Sequence, residues 1–177
     1  MTTIYCSLKL VTLLDVPRKS KELNQDASDT AGWNGMLFYL NKRKCLLFMH
    51  KPTLYCFIAL DIVKKDLIEF NRFLLQHLTD QLFADRLLSE KTKPFLDSIS
   101  ENILLKPTDN DKRVIGSMND CIYRIRFYSQ RDDSQSLNPT YIGHHLNDTP
   151  MGAIDHAFPV DMMKVFIENQ AVDKSES

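Results

Sequence analysis

An α+β fold follows from three observations on the chain. Residues 36–62 hold three apolar runs joined by short polar connections, a pattern of strands. From Lys64 the apolar period becomes that of a helix, and helical spacing returns before the C-terminus. With 177 residues, 44% hydrophobic and 25% charged, the chain has the size and composition of one globular domain. The expectation is a small, mainly antiparallel sheet packed against several helices in a single domain over residues 1–170, with residues 171–177 as a disordered tail.

The elements follow in order. Thr2–Cys6 is a short β-prone run, and Ser7 suits the N-cap of a brief helix carrying Leu8, Leu10, Val11, Leu13 and Leu14, stopped at Pro17. Pro17 to Gly32 is poor in apolar residues and reads as a long surface loop. Met36–Leu40 and Cys45–Met49 make a hairpin around the four-residue turn Asn41-Lys42-Arg43-Lys44. After His50-Lys51-Pro52, Leu54–Ile62 supplies another strand. None of these strands alternates cleanly between apolar and polar residues, which implies a sheet covered on both faces.

Leu67, Asn71, Leu74, Leu75, Leu78 and Leu82 recur at helical spacing and predict a long helix from about Lys64 to Leu88, with Asp61 or Asp66 near its positive end. A weaker helix spans Pro94 to Leu104, and Pro107 to Asn110 is a turn before a helix from Lys112 to Gln130. Beyond the hydrophilic stretch 131–136, Tyr141 to Pro150 reads as a loop dense in hydrogen-bonding groups. Pro159 fits the first turn of a last helix, Val160 to Asn169.

Several function classes are disfavoured. Net charge is −1, with a positive surplus of four in residues 1–60, so nucleic-acid binding would need its cations gathered on one face. The four cysteines, Cys6, Cys45, Cys56 and Cys121, form no Cys-x-x-Cys pair and read as small buried hydrophobes of a reducing compartment. No signal-peptide pattern opens the chain and no apolar run reaches the ~18 residues of a membrane span, so the cytoplasm is the expected location and no membrane partner is expected. With only five glycines there is no phosphate-cradling loop, and no cofactor is implied.

Three constellations remain. The first is the polar island Gly116-Ser117-Met118-Asn119-Asp120 inside the helix 112–130. Val114, Ile115, Met118, Cys121, Ile122 and Ile125 form its apolar face, while Gly116, Asp120 and Arg124 fall one turn apart on another side. It is either a carboxylate, amide and arginine set at a cleft, or a solvated face with one close helix crossing at Gly116. The second is His144-His145-Leu146-Asn147-Asp148-Thr149-Pro150-Met151, with Asp155 and His156 beyond it. Adjacent loop histidines without a helical partner lack metal-ligand spacing, so no metal is predicted, and Asn147 and Asp148 read as turn formers. The third is Lys42, Arg43 and Lys44, a basic turn that suits phosphate contacts or simply a solvated hairpin end.

Thr3-Ile4-Tyr5-Cys6-Ser7, Trp33-Asn34-Gly35, the run Asn41 to Phe48, Thr53-Leu54, the island and Leu146-Asn147-Asp148-Thr149-Pro150-Met151 together resemble an uncharacterised bacterial family of small single-domain proteins. The resemblance implies a stand-alone bacterial domain whose fingerprints are the island and the Asn-x-Thr-Pro-Met loop. It implies no activity and no catalytic residues.

The leading functional expectation is a non-enzymatic interaction module that binds a protein or nucleic-acid partner. Its binding residues would be Ser117, Asn119, Asp120 and Arg124 with His144, Asn147 and Thr149, aided by Lys42, Arg43 and Lys44. The alternative is a small hydrolase or nuclease-like enzyme with Asp120 as base, Asn119 and Arg124 as supports, and His144 or His145 carrying protons. Seven methionines and ten phenylalanines would serve a homodimer interface as readily as a core.

Overall fold

The computed structural model describes residues 2–16, 31–101, 103–130 and 138–173. The expected loop at 17–30, the hydrophilic stretch 131–137 and the tail 174–177 lie outside the described residues.

Five strands, β1 (Thr2–Cys6), β2 (Trp33–Leu40), β3 (Arg43–His50), β4 (Cys56–Ala59) and β5 (Ile103–Pro107), form one mixed sheet in the order β4-β3-β2-β1-β5. The pairs β4/β3 and β3/β2 are antiparallel; β1 runs parallel to β2 on one side and to β5 on the other. The β2–β3 connection is a two-residue turn, not the expected four-residue loop. Asn41 and Lys42 both take positive φ, 48° and 66°, the twist that matches a two-residue hairpin. Arg43 and Lys44 therefore belong to the ladder, opposite Leu40 and Tyr39.

β5 is a correction to the helix expected to reach Leu104. The helix α3 (Lys93–Glu101) ends before it, and Ile103–Pro107 adds to the sheet beside β1. A short apolar run has no clear period of its own, so pairing with β1 decides its state. Pro107 is tolerated because β5 is an edge strand that needs no second set of ladder bonds.

The sheet is covered on both faces, as the unalternating strands imply. On one face Ile4, Trp33, Phe48 and Phe57 pack under α2 (Phe70–Ala84), α3 and α6 (Pro159–Asp173), which contribute Leu74, Leu78, Leu82, Phe95, Ile99, Met163 and Ile167. On the other, Phe38, Leu47, Met49, Cys56 and Ile58 meet α4 (Lys112–Tyr128) and α5 (Pro139–Asn147) through Val114, Met118, Cys121, Ile125, Ile142 and Leu146. The short helix α1 (Leu8–Leu13) buries Leu10 and Val11 against the first face; Ser7 precedes it but makes no side-chain cap, its hydroxyl instead accepting the Leu37 N–H at 3.4 Å.

Several helical boundaries differ from the expectation. Lys64–Leu67 forms a separate 3-10 turn, with the Val63 N–H bonded to the Asp66 carboxylate at 2.9 Å, and α2 starts at Phe70. The segment expected as a loop at 141–150 is mostly the helix α5. Asn138 caps it by accepting the N–H groups of Thr140 and Tyr141 at 3.0 and 3.2 Å, and Pro139 occupies the first turn. Its apolar stripe is only Ile142 and Leu146, too thin to show among polar neighbours. The last helix continues to Asp173, past the expected start of the tail.

Candidate functional site

The most unusual group in the described residues is Asp85, a residue that the sequence does not single out. It is the C-cap of α2, and its side chain is fully buried. A carboxylate there faces the negative end of the helix dipole and loses its hydration, so it needs strong compensation.

Compensation comes from three elements. Asp85 Oδ2 accepts bonds from the Tyr55 hydroxyl at 2.6 Å, the Gln81 amide at 3.0 Å and the Asn147 amide at 3.0 Å. Asp85 Oδ1 meets His144 Nδ1 at 2.7 Å. Burial, reinforced by the neighbouring Asp85 charge, pushes the Tyr55 phenol well above its usual range, so Tyr55 is a fixed proton donor to the carboxylate.

His144 differs from its partners in being 47% exposed on its side chain. Its Nδ1 is turned to the buried carboxylate while nearly half of the side chain remains accessible. The bond to the buried carboxylate holds the His144 ring in one orientation.

Asn147, fully buried, links this cluster to the sheet. Its Oδ1 accepts the Cys56 N–H at 2.8 Å and its Nδ2 donates to the Cys56 carbonyl at 2.9 Å. β4 is an edge strand, and the Asn147 amide does for Cys56 what a neighbouring strand would do. α5 approaches α2 closely at Gly143: a Cβ there would collide with the Gln81 amide oxygen. The absent side chain is what lets Gln81 reach both Asp85 and the Thr140 carbonyl, the latter at 3.3 Å.

A second polar network sits at the start of α4. Lys51, 7% exposed on its side chain, bonds Asp109 and lies 4.7 Å from the centre of the Tyr5 ring. Arg113 donates to the Lys51 carbonyl at 2.6 Å, and Asp111 caps α4 through the Arg113 and Val114 N–H groups. Burial works to raise the Asp109 carboxyl, but the Lys51 ammonium, the Asp111 N–H and the Asn34 amide together hold it below the usual carboxylate range. The Lys51 charge is met by Asp109, and the network ties the end of β3 to the β5–α4 connection.

Nucleophilic cysteine chemistry finds no support. Burial pushes the Cys6 thiol up to about 12 and raises Cys45; a hydrogen bond with Cys121, then burial, raises Cys56. Among the described residues no group of three or more His, Cys, Asp or Glu side chains is placed to hold a metal. No helix among them is long and apolar enough to cross a membrane.

A family model covers residues 3–162. The chain belongs to the family described as Domain of unknown function (DUF6933). No curated protein matches the chain. Both polar networks and both sequence fingerprints fall within the family's span.

The structure separates residues that the sequence grouped together. Asn119 and Asp120 are exposed on α4, Arg124 is half-buried, and among the described residues Asp120 and Arg124 form no ion pair. His144 pairs with Asp85 instead of Asp120, because α5 presents its ring to the end of α2. His145 packs against Tyr141 and Tyr128, with ring centres 4.5 and 5.9 Å away.

Ser117 is buried and its hydroxyl donates to the Arg113 carbonyl at 2.9 Å within the helix, so it offers no free group. Thr149 does the same to the His145 carbonyl at 2.6 Å. Asn147, expected to bond its own turn, instead joins β4 and Asp85. In the basic turn Arg43 is paired with Asp61 at 2.6 Å, while Lys42 is exposed and Lys44 is half-buried.

Among the described residues Gly116 has nothing within 4 Å of where a Cβ would stand, so no close helix crossing among them explains it. Asp85, Gln81 and Tyr55 carried one missed signal: an acidic residue at the end of a long apolar helix, where the dipole disfavours it.

Proposed function

We propose that the chain is a proton-transfer enzyme of the hydrolase type, with His144 as the proton carrier and Asp85 as its positioning residue. The observation that carries this reading is a fully buried carboxylate with one oxygen saturated by three neutral donors and the other directed at a half-exposed imidazole. Neutral His144, donating Nδ1–H to Asp85, keeps a lone pair on Nε2 to take a proton from water or a substrate hydroxyl. Asp85 takes the place that the sequence assigned to Asp120. The four free buried cysteines support a reducing, cytoplasmic setting.

Two measurements test it. Nitrogen-15 NMR of His144 at neutral pH is expected to show the Nδ1–H tautomer. A panel of chromogenic phosphomonoester, phosphodiester, carboxylic ester and amide substrates is expected to yield an activity that His144→Ala abolishes at unchanged melting temperature. Asp85→Asn should lower kcat more than KM, because it misorients the base without touching substrate. An Nε2–H tautomer in the wild type, or activity indifferent to His144→Ala, removes the reading.

A second reading, the interaction module, is supported by a different surface. Tyr123 and Phe127, 75% and 57% exposed, lie one turn apart on α4 near exposed Asn119 and Asp120. It makes α4 a face for a protein or nucleic-acid partner or a second copy of the chain. Pull-down with wild type and an equally stable Asp120→Ala/Tyr123→Ala variant, identifying the retained material, discriminates it from the enzyme reading.

A further inference from the structure

The corner after α2 contains two choices that local stability disfavours. One is the Asp85 carboxylate at the C-cap, which His144 accounts for. The other is Arg86, held at φ 57° in the left-handed region. Glycine is the ordinary occupant of that position, because a Cβ crowds the neighbouring carbonyl.

The backbone leaves Arg86 no alternative. Its N–H bonds the Phe83 carbonyl at 3.0 Å and the Leu87 N–H bonds the Leu82 carbonyl at 2.8 Å, the paired bonds that close a helix through a left-handed residue. The exit direction of the arginine side chain is therefore set by the end of α2.

Arg86 lines a cavity of about 420 Å³ at this corner. Lys91, from the 3-10 turn Glu90–Thr92, and Lys164, from α6, line it too, with Leu87 and Ile167 supplying apolar wall. Glu90 and Glu168 also contribute, so cations exceed carboxylates by one. Among the described residues none of the three cations joins an ion pair, although Lys164 and Glu168 stand one helical turn apart.

Three cations that form no ion pair among the described residues, around a concave and partly apolar space, define a ligand chemistry. The guanidinium fork matches a carboxylate or phosphate, and the two lysines add charge around it. The volume lies within the range of small-molecule sites. The apolar wall favours a ligand with a body as well as a head, and a surplus of only one positive charge is poorly suited to a polyanion.

We infer that this cavity binds a small organic anion, an oxyanion head on a short apolar body, with Arg86 as its anchor. The inference is independent of the proton-transfer reading, since neither Arg86, Lys91 nor Lys164 takes part in the His144 cluster.

The test is a nitrogen-15 NMR titration of the full chain with 1-naphthoate, its neutral analogue 1-naphthamide, and inorganic phosphate. Naphthoate should give saturable shifts of the amides at 86–91 and 164–168, tighter than either control. Arg86→Gln should weaken naphthoate by roughly tenfold or more, the scale of a lost charged hydrogen bond. Arg86→Gly should weaken it equally while raising the melting temperature, because glycine relieves the left-handed position. This second variant separates loss of the anchor from loss of the fold. Absence of saturation at ~10 mM naphthoate, equal binding of naphthamide or phosphate, or variants that bind like wild type would each overturn the inference.

Discussion

Asn147→Ala is expected to be among the most costly single truncations in this protein, and the cost can be worked from its three bonds. The side chain is fully buried and makes bonds of 2.8 and 2.9 Å to the two backbone groups of Cys56 and one of 3.0 Å to Asp85. Truncation leaves the Cys56 N–H and carbonyl without a partner on the edge of the sheet. Orphaning a buried polar group costs about 1–3 kcal/mol, so two give about 2–6 kcal/mol.

Asp85 keeps the Tyr55 and Gln81 donors on the same oxygen, so little is added there. A water entering the space would bring the total to the lower end, and ~3 kcal/mol is the expected loss. For a domain of this size that corresponds to a fall in Tm of about 6–12 °C. Urea unfolding at constant m-value and calorimetry are the assays, with Asp148→Ala, an exposed neighbour, expected within about 0.5 kcal/mol of wild type. A loss below about 1 kcal/mol with m unchanged would refute the reasoning, since it would mean that the Asn147 amide is not the partner of β4.

Two further outcomes are expected. Gly116→Ala should raise stability by up to about 1 kcal/mol in thermal unfolding, because the helix gains propensity and the new methyl meets nothing within 4 Å; a loss would show that the space beside Gly116 is occupied. Acid should remove the contribution of Asp109: its carboxyl is depressed in the folded state, so the stabilisation is complete above the unfolded value of about pH 4 and is lost as pH falls through the lower folded value. Lys51→Met should flatten that part of the stability curve, and an unchanged acid limb in the variant would count against the Lys51–Asp109 pair as its source.

What the residues determined alone was the class of object and much of its order. Strands apolar on both faces required cover on both faces, since burial of one side only would leave alternate residues wetted, and both helical layers are present. The helical period of α2 and α4 was legible because each carries a long stripe of buried apolar residues. The turn at Asn41-Lys42 was legible as a turn, though its length depended on whether Arg43 and Lys44 joined the ladder.

Tertiary structure decided the rest. Ile103–Pro107 becomes a strand only because β1 offers an open edge, and α5 becomes a helix because Ile142 and Leu146 find the second face of the sheet. The candidate site was half visible: His144 and Asn147 stood out as polar residues in a dense run. Their acid did not, because Asp85 lies 59 residues from His144 and 62 from Asn147 along the chain, in a segment that reads as the end of an apolar helix. Asp120 was conspicuous through its polar neighbours in sequence, but helical geometry turns it to solvent. A side chain's chemistry follows from what surrounds it, and for Asp85 the hydroxyl, amides and imidazole that hold a charge in the interior are assembled only when α2, β4 and α5 meet.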